Sequence, residues 1–200
     1  MITGIELFAS VLVYLLYVFL VTYMDNILHY TRQQALEVEM ISVILLALLY
    51  PCMGKLSDHI GRRPLLAFAL IGSMLWAWPY FWLLQQNNMA LALLAQLVMT
   101  LFAAAYFAIA MVTMVEIVPP HSRFTVVSVA YAIAVSIFGG MTPFVATLLI
   151  KKMHSHYSLA LYLVMAALIS LFTIYKVRET NYRSVEGKKS NDTAAQEISH

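Results

Sequence analysis

Gly54-Lys55-Leu56-Ser57-Asp58-His59-Ile60-Gly61-Arg62-Arg63-Pro64-Leu65-Leu66 is a dense run of charge and glycine set between two long apolar stretches. Charges are excluded from hydrocarbon, while glycine and proline turn the chain, so the run reads as a short hairpin joining two membrane helices. Gly54 is expected to end one helix where a side chain would obstruct close packing, and Gly61 with Pro64 to start the next. Asp58 can accept hydrogen bonds from a neighbouring helix N-terminus and from Arg62 or Arg63, giving a charge cluster at the membrane edge. A solvated hairpin whose basic residues only mark one side of the membrane fits the same spacing.

Composition agrees with a bilayer setting. The 200 residues are 62% hydrophobic and 11% charged, with a mean hydropathy of +0.80; soluble domains carry about 25% charged residues. The net charge of +2 is spread over hairpins and a tail, which leaves no footprint for nucleic acid. The single cysteine, Cys52, excludes a disulfide or a cysteine metal cluster within one chain and reads as a small buried hydrophobe.

A membrane helix needs roughly 20 apolar residues. Six windows supply them, at about 5–28, 38–54, 64–84, 89–115, 124–149 and 157–176, so the fold class is an all-α membrane protein with six transmembrane helices. The first window lacks a basic leader and a small-residue cleavage site, and reads as a retained helix. Basic residues in short loops stay cytoplasmic. Lys55, Arg62, Arg63, Arg123, Lys176, Arg178, Arg183, Lys188 and Lys189 fall on one side, against Arg32, Lys151 and Lys152 on the other. Both termini are therefore expected in the cytoplasm, with Lys151–Lys152 a local exception. Residues 179–200 lose all apolar periodicity and read as a disordered cytoplasmic tail.

The loop resembles the signature loop of the major facilitator superfamily, G-x-L-[SA]-D-x-x-G-R-R. Glu116-Ile117-Val118-Pro119-Pro120-His121-Ser122-Arg123 is similar to the E-x-F-P-x-x-x-R segment of that superfamily's metabolite:proton symporter branch. Tyr131, Gly139-Gly140-Met141-Thr142-Pro143 and Thr22-Tyr23-Met24 stand where the branch has a tyrosine-bearing helix, a G-G-x-x-P turn and its first-helix motif. The likeness runs from about residue 8 to residue 178 and is greatest to proline/betaine and dicarboxylate carriers. The chain departs from the branch at Tyr50, His59 and Ala132, where Gln, a basic residue and Asn are usual.

The resemblance implies proton-coupled transport of a small metabolite or compatible solute across a bacterial inner membrane. The motif order implies the C-terminal six-helix half of the fold, with Met1 just before what would be the seventh helix. Such a half needs an N-terminal half or a second copy of itself to enclose a pathway, because the two halves rock about a site between them. A non-transporting membrane subunit or inactive relic is the alternative. Gly54, Asp58, Gly61, Arg62, Arg63, Glu116 and Arg123 form the expected cytoplasmic gate; independent interfacial charges would explain the same residues.

Gly139, Gly140 and Pro143 interrupt the fifth span, and such interrupted helices flank substrate sites in many transporters. With Tyr17, Tyr23 and Tyr131 they make up the expected substrate cavity. Tyr14, Tyr17, Phe19 and Tyr23 could line an aromatic cavity suited to an ammonium group, or serve as packing and lipid-facing residues. Trp76, Trp78, Tyr80 and Trp82 read as an outer aromatic belt. His29, His121, His154 and His156 read as loop residues, and no metal or cofactor is expected. No nucleophile–base pair or buried acid dyad supports an enzyme. Glu6, Asp25, Glu37, Glu39 and Glu116 all fall at the ends of the apolar windows, so a central coupling acid is expected in the other half.

Overall fold

The computed structural model describes residues 2–117, 123–153 and 157–176, and the side chains of residues 2, 116, 117, 123 and 176 lie outside that description. The Pro119–Pro120 turn, His121, His154–His156 and the 179–200 tail also lie outside the described residues. Six helices are long and apolar enough to cross a membrane: α1 Thr3–Asn26, α2 Arg32–Ile60, α3 Arg62–Leu84, α4 Met89–Ile117, α5 Phe124–Met153 and α6 Tyr157–Lys176.

Local chemistry sets the helix ends. Thr31 starts α2 through a capping box, its Oγ1 accepting from the Gln34 amide at 3.3 Å while Gln34 Oε1 accepts from the Thr31 amide at 3.1 Å. The helix therefore begins well before the apolar window at 38. At its far end it runs through Pro51 and through Gly54 to Ile60, and a single residue, Gly61, separates it from α3. Gly54 does not end the helix, and a β-carbon there would meet nothing within 4 Å. Gly61 has φ 100°, a region in which a side chain is strained, so the break belongs to this glycine. Cys52 is exposed rather than buried. Asn88 caps α4, its Oδ1 accepting from the Ala90 amide at 3.0 Å.

Helix α4 lies at the centre of the packing. It contacts α2 along one side and α3 along another, α3 also meets α6, α6 meets α1, and α1 meets α5. Small residues allow these approaches: Ala92, Ala95, Ala103, Ala104, Ala105 and Ala110 of α4 are all buried. Tyr106 fastens three helices, its hydroxyl lying 2.6 Å from the Ile5 carbonyl and 2.7 Å from Ser170 Oγ. Burial is uneven. The most apolar window is 67% buried in α1 and α4 but only 11% in α2 and 22% in α5, so these two helices carry most of their apolar surface outward.

Two helices contain a wide turn. Tyr14–Phe19 in α1 and Val135–Gly139 in α5 are π-helical. Pro143 lacks the N–H that would otherwise serve the Gly139 carbonyl, which accounts for a distortion at that point. The two wide segments meet, with the Tyr14 ring against Gly139.

Candidate functional site

The expected cavity and gate residues do not form one constellation. Tyr23 is 1% exposed and packs edge-to-face on Phe81 with ring centroids 6.0 Å apart, so it is a core residue rather than a cavity wall. Gly139 is buried under Tyr14, whereas Gly140 is exposed, with only the Val135 carbonyl near its β position. Pro143 is half-buried inside α5. Tyr80 leaves the expected aromatic belt: it is buried and donates to Gln96 Oε1 at 2.7 Å. Trp76 donates to the Ala95 carbonyl at 3.2 Å, while Trp78 and Trp82 are exposed.

At the α2–α3 break, Asp58 is exposed and is the acid that acts on the half-buried Arg62. Arg63 turns elsewhere, its Nη2 donating to the Tyr175 carbonyl at 3.1 Å and tying the start of α3 to the end of α6. Glu116 and Arg123 stand at the end of α4 and just before α5, with side chains outside the described residues.

Two carboxyls form the most distinctive chemistry, Glu6 buried and Glu39 half-buried with one buried oxygen, and the apolar windows concealed both. Glu39 lies two turns inside α2 because Thr31 starts the helix early. Its Oε2 is buried without a hydrogen-bond partner, and its charge reaches both Tyr17 and Tyr80. Tyr17 donates to Thr100 Oγ1 at 3.3 Å. Gln96 Nε2 donates to the Leu16 carbonyl at 3.3 Å, inside the wide turn of α1. Glu39, Tyr17, Tyr80, Gln96 and Thr100 thus bring polar groups from four helices together within an apolar bundle.

Glu6 is 4% exposed. It lines a cavity of about 220 Å³ with Val13 of α1, Tyr50 of α2, Phe107 and Met111 of α4 and Tyr131 of α5. Its charge reaches Tyr50 and Tyr106. Of the expected cavity residues only Tyr131 stands here. Glu39 corrects the expectation that acids lie solely at helix ends, whereas Glu6 does stand in the first turn of α1 and is buried there by packing.

The family model described as Major Facilitator Superfamily matches residues 2–199. The chain belongs to the major facilitator superfamily. Among superfamily relatives, it is 28% identical over 184 residues to the glycine betaine/proline/ectoine/pipecolic acid transporter of Dickeya dadantii (strain 3937), covering 92% of this chain and 36% of the relative. It is 26% identical to the proline/betaine transporter of Escherichia coli (strain K12), covering 92% of this chain and 37% of that protein. Against the citrate-proton symporter of Klebsiella pneumoniae the identity is 30%, over 84% of this chain and 38% of the relative. The chain thus spans little more than a third of the length of these superfamily members. As a superfamily protein with six membrane-length apolar helices, it is a membrane protein that interacts with lipid.

Proposed function

We propose that this chain is one six-helix half, the C-terminal one, of a proton-coupled secondary carrier for a small metabolite or compatible solute. The observation that carries the reading is the superfamily match over nearly the whole chain combined with a span of 36–38% of the matched transporters. The solute is of the proline/betaine type or a small carboxylate, since relatives named for both kinds resemble the chain. A two-half carrier is completed by an N-terminal half or a second copy, and the bare apolar surfaces of α2 and α5 are available to receive it. The carrier sits in an inner membrane with both termini cytoplasmic, as the distribution of Lys and Arg favours.

Carriers of this architecture alternate access by rocking one half against the other. In this reading Asp58 and Arg62, with Arg63, Glu116 and Arg123, latch the Gly61 side while the carrier faces outward, and separate when it faces inward. Coupling requires a group that changes protonation during the cycle. Glu39 has the chemistry for this role, because a carboxyl can gain and lose a proton and its Oε2 is buried without a hydrogen-bond partner among the described residues. Tyr17 and Tyr80 lie within its electrostatic reach, and they are hydrogen-bonded in turn to Thr100 and Gln96.

The test is uptake of labelled proline, glycine betaine and 2-oxoglutarate into proteoliposomes holding this chain, with and without an inward proton gradient. Gradient-driven uptake of any of them is the expected result, either from the chain alone or after co-reconstitution with an N-terminal half. Absence of uptake in both arrangements would favour the non-transporting subunit or relic.

A further inference from the structure

We propose that the cavity at Glu6 binds the ammonium group of a small solute, with the Glu6 carboxylate as counter-ion and the rings of Tyr50, Phe107 and Tyr131 as its walls. The proposal rests on the carrier reading for its biological meaning, although the binding site stands on its own geometry.

Three observations converge on a cation. Glu6 is 4% exposed, so its carboxyl is withdrawn from water, and a buried carboxylate requires a positive partner or a proton. Among the described residues no Lys or Arg lines the cavity, so none of them provides that partner from the wall. Open space of about 220 Å³ adjoins the acid and is bounded by aromatic residues from α2, α4 and α5. A proton alone would need neither the space nor the rings. Aromatic faces attract ammonium groups, the more strongly when water is excluded, and a carboxylate in the cavity favours the same charge.

The size narrows the ligand further. Pockets for drug-sized molecules occupy about 300–1,000 Å³, and this cavity is smaller. It suits a solute of a few heavy atoms bearing an ammonium group. An anion would face Glu6 with no basic group among the described lining residues to offset it. Tyr50 and Tyr131, both half-exposed, come from the two helices whose apolar surfaces are least covered. The cavity therefore opens toward the side where a second half would stand, and the carboxylate of a zwitterion would be bound from there.

Binding of radiolabelled tetramethylammonium and glycine betaine to the full chain in nanodiscs provides the test, with citrate as competitor. Saturable binding of both ammonium probes, no displacement by citrate, and a Kd at least tenfold weaker in Glu6→Gln are expected; tenfold corresponds to about 1.4 kcal/mol. Tyr131→Leu, at a half-exposed position, should weaken binding several-fold while thermal unfolding in detergent checks that the fold is kept. No saturable binding by the unaltered chain, equal affinity in E6Q and Y131L, or displacement by citrate would each overturn the proposal. Uptake separates the two readings. Ammonium binding without uptake in any arrangement removes the carrier and leaves the site, whereas gradient-driven uptake without Glu6-dependent binding removes the site and leaves the carrier.

Discussion

The ring of Tyr14 occupies the space beside Gly139 so closely that a β-carbon on the glycine would stand 2.6 Å from Tyr14 Cε2. This contact joins the wide turn of α1 to the wide turn of α5. Gly139→Ala forces the ring or the helix to shift, at about 1–3 kcal/mol for an overpacked contact. Gly140→Ala meets only the Val135 carbonyl at 4.0 Å and should be neutral or slightly stabilising. Thermal unfolding in detergent should show a lower midpoint for G139A, no decrease for G140A, and recovery when Tyr14→Leu is added to G139A.

Gln96 satisfies two buried groups, accepting from Tyr80 and donating to the Leu16 carbonyl. Gln96→Leu strands both, and leaving a buried polar group unpaired costs about 1–3 kcal/mol. Because Tyr80→Phe removes one of the stranded groups, the double variant should lose less stability than the sum of the two single ones. Additive losses would show that the pair acts independently.

Glu39→Gln keeps the shape of the side chain and removes its ability to gain and lose a proton. In a carrier that uses Glu39 for coupling, uptake by E39Q should lose its response to an inward proton gradient while solute exchange across the membrane continues. A gradient response equal to that of the unaltered chain would exclude the coupling role.

Tyr30, between α1 and α2, is buried and donates from its hydroxyl to the Leu84 carbonyl at 3.1 Å. Burial holds this hydroxyl above the usual tyrosine range, opposed by a hydrogen bond with the Asn88 backbone. Folding therefore favours the protonated form. The stabilisation is fully present below about pH 10, the ordinary tyrosine value, and is lost as the pH rises through the higher folded-state value. Tyr30→Phe should cost about 1 kcal/mol at neutral pH, and the gap between variant and unaltered chain should narrow above about pH 10.

Asp58 acts on Arg62, whereas Lys55 is exposed on the same helix end. If the latch operates, Asp58→Ala should slow uptake several-fold and Lys55→Ala by much less. Equal and negligible effects on the initial rate would remove Asp58 from the gate.

Hydropathy and the Gly54–Leu66 run made the helical membrane fold and its superfamily legible, since a bilayer demands long apolar stretches whatever the packing. The site was harder to read, for identifiable reasons. Apolar windows placed Glu6 and Glu39 at helix margins, yet the Thr31 capping box begins α2 well before Glu39, and tertiary packing buries Glu6. Tyr17 and Tyr23 were both expected in the cavity, yet Tyr23 packs into the core against Phe81, and the wide turn at Tyr14–Phe19 changes the angular relation between residues on either side of it. That turn packs against α5 through Tyr14 and Gly139, a contact that no local pattern encodes. Tyr50, read only as a departure from the symporter branch, lines the Glu6 cavity.

Helices α2 and α3 follow one another through Gly61 alone and touch little, while α2 lies along α4 for much of its length. Covalent neighbourhood and mechanical partnership are thus separate in this chain. The position of α2 is set by its long contact with α4, whereas Gly61 and a few contacts are all that hold it to α3.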